Sequence, residues 1–218
     1  MNVLSPGFLT TVQDLGRDHY AHLGLSPSGA ADAVSLRVGN LLLGNPPNAP
    51  ALEMTLVGAT VEFGSACAIA LAGSGFRATL DDMPVPRWQT VFVQPGQTLQ
   101  CGPAASGARC YLCVSGGILV ETILSSSSAY LQVALGENRA GPLRSGESFK
   151  FGGVSLPHRA LSAKPAVLEY LFKPGPLRVT DGPQLQLFTA TERSLFASSI
   201  YGVKEESNRM GLRLSGPP

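Results

Sequence analysis

Between Leu52 and Gly153 the chain is a succession of short apolar runs cut by turn residues, and no other feature limits its fold so strongly. The runs are Thr60–Phe63, Cys67–Ala72, Phe76–Leu80, Trp88–Val93, Thr98–Cys101, Arg109–Ser115 and Ser148–Phe151. Asp81-Asp82, Pro95-Gly96, Gly102-Pro103 and Ser145-Gly146 separate them. Runs this short, bounded by turn formers, read as strands rather than helices, and a long series of them reads as antiparallel, barrel-like β structure. The 25 glycines and 17 prolines among 218 residues supply the turns that such a fold needs. Gly73-Ser74-Gly75 lacks the third glycine and the helix of a dinucleotide fingerprint, and reads as a simple turn.

Helices are few and short. Asp32 can cap a helix whose buried face is Val34, Val38, Leu41 and Leu42, at i, i+4, i+7 and i+8. Gly44 stops it and Pro46-Pro47 prevents its continuation. Thr189-Ala190-Thr191-Glu192 is a capping box ahead of a second helix bearing Leu195 and Phe196. A short strand around Val3-Leu4 precedes the polar block after Phe8, and Ile200–Val203 is extended. Lys173-Pro174-Gly175-Pro176 reads as a linker, which divides the chain into regions 1–173 and 174–218.

Composition removes several classes of function. With 44% hydrophobic and 14% charged residues, extended disorder is excluded. A net charge of +1 offers no field for nucleic acid or anionic lipid. The apolar run Ala66–Gly73 is too short to span a bilayer, and Met1–Gly7 has neither the basic nor the apolar segment of a secretory leader, so a cytoplasmic protein is expected. Cys110 and Cys113 have the spacing of a redox or zinc pair. In a strand, however, positions i and i+3 face opposite ways, which makes them small core residues. His19 and His22 have no second ligand cluster, and no metal is expected.

No phosphate loop of the G-x-x-x-x-G-K-[ST] type occurs, nor a G-x-S-x-G elbow, and His19, His22 and His158 form no triad signature. What remains suits a small polar or carboxylated ligand. Arg17 and Arg209 can each fork onto a carboxylate. Asp14 and Glu53 are candidate proton acceptors or orienting groups. Thr11, Gln13, Asn45 and Asn208, with Thr10, offer neutral hydrogen bonds. Two structural alternatives stand beside these roles: Asp14 pairing with Arg17 to close a turn, and Glu53 serving as a partly buried acceptor. Ser125–Ser128 reads as a solvated loop.

The same residues carry a family resemblance. Thr-Thr-Val-Gln-Asp-Leu-Gly-Arg at 10–17, Ser-Gly-Ala at 28–30, Gly-Asn at 44–45 and Ala-Leu-Glu at 51–53 resemble the biotin-dependent carboxyltransferase A/B-domain family. Tyr-Leu-x-Val-x-Gly-Gly-Ile at 111–118 and Ser-Asn-Arg-Met-Gly-x-Arg-Leu at 207–214 complete the set. The family includes allophanate hydrolase subunit 2, one of the 5-oxoprolinase subunits, the antagonist of the Kip sporulation-kinase inhibitor and part of urea carboxylase. The resemblance implies a mainly β fold with a few short helices and two barrel-like subdomains, the second cyclophilin-like. It implies a subunit of an ATP-dependent amide- or lactam-processing hydrolase, or of a biotin-dependent carboxyltransferase. A C/D-domain (Kip-inhibitor-like) partner, and in some members a further hydrolase subunit, would complete it. ATP would be bound here or on another subunit, and biotin enters through the carboxyltransferase members. A non-catalytic protein that antagonises a Kip-type inhibitor is the alternative. On this reading Asp14, Glu53 and Arg209 are the catalytic candidates, and Thr11, Gln13, Arg17, Asn45 and Asn208 the substrate-binding ones.

The chain departs from the family pattern in four places. Ser125–Ser128 and Ala129 replace a Gly-Ser-x-Ser-Thr stretch. Gly136–Gly141 replaces Gly-Gly-x-x-Gly-Arg, and Ala31 stands in place of methionine before Asp32. The family pattern also continues beyond Pro218, so the second barrel is expected to be incomplete here.

Overall fold

The computed structural model of the chain describes residues 1–130, 141–152, 159–173, 175–204, 207 and 211–217. The fold is mainly β, built on a curled half-barrel sheet. In chain order the first elements are β1 (Asn2–Ser5), β2 (Leu9–Gln13), α1 (Ala33–Leu41), β3 (Ala51–Thr55) and β4 (Thr60–Glu62). β5 (Cys67–Leu80), β6 (Met83–Pro84), β7 (Thr90–Val93) and β8 (Thr98–Val114) follow, then the short pair β9 (Ile118–Leu119) and β10 (Lys150–Phe151). Pairing is antiparallel throughout: β1-β4-β8-β3-β2 form one path, and β5 pairs with β6, β7 and β8.

The chain divides into two compact units, Met1–Glu169 and Tyr170–Pro218. α2 (Pro165–Phe172) begins with proline at its first helical position, where the missing N–H costs nothing; this helix is not among those expected from the sequence. The second unit contains α3 (Ala190–Ser198), opened by the Thr189–Glu192 capping box, and the antiparallel pair β11 (Gly202–Val203) and β12 (Leu214–Ser215). No helix among the described residues is long and apolar enough to cross a membrane.

Strand alternation sorts the side chains of the large sheet. Val12, Leu52, Met54, Ile69, Leu71, Cys110, Leu112 and Val114 point inward and form the main core with Val3, Val61, Phe63 and Leu99. Ala51, Ala68, Ala70, Tyr111 and Cys113 point outward and are covered by Leu36, Leu42 and Leu43. Cys110 and Cys113 thus lie on opposite faces, as the strand reading requires.

Three local expectations are corrected. Gly73-Ser74-Gly75 is not a turn but a bulge inside β5, where the register against β8 shifts. Gly73 has φ +113°, and a Cβ there would meet Arg109 O at 2.6 Å, so glycine lets the strand kink while it continues. Gly102-Pro103 likewise lies inside β8, opposite the irregular stretch of β5 where a ladder N–H is not required. The buried face of α1 is Ser35, Leu36, Gly39 and Asn40, continuing to Leu42 and Leu43, whereas Val34 and Leu41 are exposed. Gly39 decides this rotation: a Cβ there would meet Cys113 Sγ at 2.7 Å and Ala72 Cβ at 3.1 Å, so the helix presents its smallest residue where it comes nearest the sheet.

All four cysteines are buried and free. Burial pushes the Cys67 and Cys110 thiols up from 9.0 to about 12, and raises Cys101 and Cys113 as well. The native state therefore retains thiol protons that the unfolded chain releases near 9, and stability falls as pH rises above that value. A thiol-reactive disulfide reagent at pH 8 is expected to label no cysteine in the native protein and all four in guanidinium chloride.

Candidate functional site

Three adjacent rungs on the outer face of the sheet gather polar residues. Gln13 of β2 stands opposite Ala51 of β3; Thr11 opposes Glu53, which in turn opposes Tyr111 of β8; and Thr55 opposes Arg109. The period of two places Thr11 and Gln13, Glu53 and Thr55, and Arg109 and Tyr111 on one face, while Val12, Leu52, Met54 and Cys110 face the core. Thr11, Gln13, Glu53 and Tyr111 are all buried.

Glu53 is the centre of this layer. Its Oε2 accepts from the Tyr111 hydroxyl at 2.7 Å and from the Ala31 amide at 2.8 Å. Its Oε1 lies 3.6 Å from Arg109 Nε, close enough for an ion pair but beyond a hydrogen bond. The Asp32 amide donates to the Tyr111 oxygen at 2.8 Å. Burial, then the neighbouring Glu53 carboxylate, raises the Tyr111 phenol above its ordinary value, so this hydroxyl remains a donor. Gln13 donates from Nε2 to Thr11 Oγ1 at 3.0 Å. Among the described residues its buried Oε1 has no hydrogen-bond partner.

Asp14 heads a second cluster just beyond β2. Oδ1 accepts from Gly16 N and Ser126 Oγ, each at 2.7 Å, and from Ser128 Oγ; Oδ2 accepts from Ser127 N at 2.6 Å. Ser126 and Ser128 are buried, so the serine run is no solvated loop: its polar groups close around this carboxylate. Leu124 and Ser125 have φ +52° and +63° and form the tip of a two-residue turn, closed by backbone bonds between Ile123 and Ser126. Ser125 thus stands at the strained position where the family pattern has glycine, and the two serines that hold Asp14 are retained.

Arg17 is not paired with Asp14. Its guanidinium donates to Ser128 O at 2.6 Å, to Ser28 Oγ at 3.1 Å and to Ile123 O at 3.5 Å, and it lies 5.8 Å from the centre of the Tyr130 ring. Ser128 therefore stands between a buried anion and a buried cation, with its hydroxyl on one and its carbonyl on the other. Glycines bring the two loops together. Gly16 and Gly29 have φ +96° and +79°, and a Cβ on either would lie 2.6 Å from the carbonyl of Pro27 or Leu15.

Asn45 lies elsewhere. Its amide donates to Asn40 Oδ1 at 3.0 Å and to Val114 O at 2.8 Å, and accepts from Gly116 N at 2.8 Å. It ties the end of α1 to the end of β8, about 10 Å along that strand from Tyr111. Asn208 and Arg209 lie outside the described residues. The structure thus brings Thr11, Gln13 and Glu53 into one layer, gives Asp14 and Arg17 a neighbouring loop clasp, and sets Asn45 apart. Sequence reasoning missed Tyr111, Arg109, Ser126 and Ser128; the i, i+2 spacing of Arg109 and Tyr111 within a strand was the available signal. Among the described residues no group of three or more His, Cys, Asp or Glu side chains is placed to hold a metal ion.

The model of the carboxyltransferase domain, subdomains A and B, matches residues 23–218. A 5-oxoprolinase subunit of Escherichia coli (strain K12) is 36% identical over 99% of this chain and 68% of its own length. The urea amidolyase of Lachancea kluyveri is 35% identical over 99% of this chain but only 12% of that much longer protein. Among solved structures, the K. lactis urea amidolyase superposes with a TM-score of 0.84 at 31% identity, over 99% of this chain and 14% of that one. A half-barrel sheet with a polar outer layer under a short helix is therefore a carboxyltransferase-type domain. The chain belongs to the carboxyltransferase subdomain A and B family.

Two outcomes follow from the Asp14 clasp. Asp14→Asn puts an amide among four donors, and chemical denaturation should show a loss of about 2–4 kcal/mol. Ser125→Gly relieves the left-handed position and should add about 1 kcal/mol in the same assay.

Proposed function

We propose that this chain is one member of an ATP-dependent assembly that processes a small amide or lactam, completed by a C/D-domain partner. The relatives named as a 5-oxoprolinase subunit and as urea amidolyase support the class. The observation that carries the reading is Gln13 Oε1, a buried acceptor in the same layer as Glu53 that has no partner among the described residues. A buried acceptor without a hydrogen bond is costly, and an amide, lactam or ureido N–H would satisfy it.

In this reading Gln13 receives the ligand N–H, Thr11 holds the Gln13 amide in place, and Glu53 takes or orients a proton. Opening a lactam or transferring a carboxyl group builds negative charge on an oxygen, which needs a donor or cation beside it. By the family resemblance alone, with no placement in the structure, Asn208 and Arg209 are the candidates for that role and for clamping a carboxylate. Asp14, Arg17 and Asn45 have their hydrogen-bonding groups engaged within the fold, so they act by holding the loops in place. An unfilled N–H acceptor fits the ureido group of biotin as well as a substrate amide, and no step is assigned to biotin.

Among the described residues, the start of α1 offers a triphosphate no ready seat. A helix N-terminus is a natural phosphate seat, but at α1 the Asp32 carboxylate already caps it, accepting from Ser35 N at 2.9 Å, and the Glu53 carboxylate lies next to it on Ala31 N, so two anions stand where a phosphate would. ATP is therefore assigned to a partner protein.

The test is to purify the chain with its C/D-domain partner and any further hydrolase subunit, then follow glutamate and ADP release from 5-oxoproline and ATP. Allophanate and urea serve as the other substrates. Glu53→Gln should lower kcat by about a hundredfold or more. Arg209→Ala should cut turnover, and Gln13→Leu should weaken binding of every amide tested. An assembled complex that turns over none of the three substrates would sink the proposal.

A further inference from the structure

We infer that Tyr111 is a positioning residue, which fixes the Glu53 carboxylate in one orientation; the inference deepens the reading above and rests on it for the role of Glu53. Tyr111 is fully buried on the outer face, beneath the start of α1. Its oxygen is used on both sides, accepting from Asp32 N at 2.8 Å and donating to Glu53 Oε2 at 2.7 Å. Ala31 N, one residue earlier, donates to the same Oε2 at 2.8 Å. Two donors on one oxygen leave a carboxylate a single rotational setting, and that setting turns Oε1 toward Arg109 Nε, 3.6 Å away.

The arrangement depends on one proton. A Tyr111 phenolate could not donate to Glu53 and would set two negative charges side by side. Burial and the Glu53 charge hold the phenol above its ordinary value, which keeps the donor in place across the neutral range. The groups facing this hydroxyl are Glu53 on β3 and Ala31 and Asp32 at the start of α1, with Arg109 on its own strand. Helix and sheet are thereby coupled through Glu53: any shift of the α1 N-terminus changes where this carboxylate points.

Tyr111→Phe retains the buried ring and removes only the hydroxyl. In the isolated chain, amide hydrogen exchange separates positioning from packing, because Ala31 N–H bonds to Glu53 and not to Tyr111. If Tyr111 positions Glu53, exchange at Ala31 should accelerate about tenfold in the variant. Unchanged exchange at Ala31, with only Asp32 affected, would overturn the inference. In the assembled enzyme kcat should fall about tenfold with KM within about twofold, since the group that acts is misoriented while ligand contacts remain. Faster exchange at Ala31 with unaltered turnover would keep Tyr111 as the positioner and remove Glu53 from the proposed chemistry, so the two readings fail separately. A measurement that leaves Tyr111 in place covers a variant that does not fold. With fluorotyrosine at all five tyrosines, Glu53→Gln should move the Tyr111 fluorine signal, and a stationary signal would also overturn the inference.

Discussion

The ladder between β5 and β8 is the interaction on which the first unit depends. β8 pairs with β5 along most of its length, with β4 near its start and with β3 near its end. One strand therefore fixes the register of three others, and a slip of one residue would exchange its faces. Cys110, Leu112 and Val114 would leave the core, while Arg109, Tyr111 and Cys113 would enter it. The Gly73–Gly75 bulge takes up the misfit where the two strands curl, which lets one continuous ladder serve both the barrel core and the polar layer.

Much of this was legible from the sequence, and the failures have physical causes. The alternation of apolar runs and turns gave the β fold, the turn at Asp81-Asp82 and the divergence of Cys110 from Cys113. β2 and β3 escape a sequence reading as strands, because Thr11, Gln13 and Glu53 occupy the face that usually shows the polar half of an amphipathic strand. Here that face is buried under a helix and two loops, so its polar groups look like a loop-borne site. The face of α1 misleads for the converse reason: Val34 and Leu41 outrank Gly39 and Asn40 in hydrophobicity, but close approach to Cys113 and Ala72 selects the smaller side chain. The serine run shows the limit of local reading. Its four hydroxyls look solvated until Asp14, far earlier in the chain, supplies the acceptor that draws two of them inside.

Burying three charged groups in one neighbourhood is expensive unless each is met by hydrogen bonds. Asp14 is met by two hydroxyls and two amides, and Arg17 by carbonyls, a hydroxyl and an aromatic face. Glu53 is met by a phenol and an amide, with Arg109 nearby. The loops therefore fold around these charges. Gly16 and Gly29 are part of the same solution, because only close backbone contact lets Arg17 N reach Pro27 O at 2.8 Å and Ala30 N reach Asp14 O at 2.8 Å.

This divides the residues that carry the family resemblance into two kinds. Asp14, Gly16, Arg17, Gly29 and Asn45 each have a partner or a backbone contact that gives them a place in the fold. A variant of the family that had lost all chemistry would still need them to build the outer layer. Gln13 is different: its Nε2 donates to Thr11, but among the described residues its buried Oε1 has no hydrogen-bond partner. The proposed function therefore rests on Gln13 and its neighbour Glu53 rather than on the more conspicuous aspartate and arginine that follow.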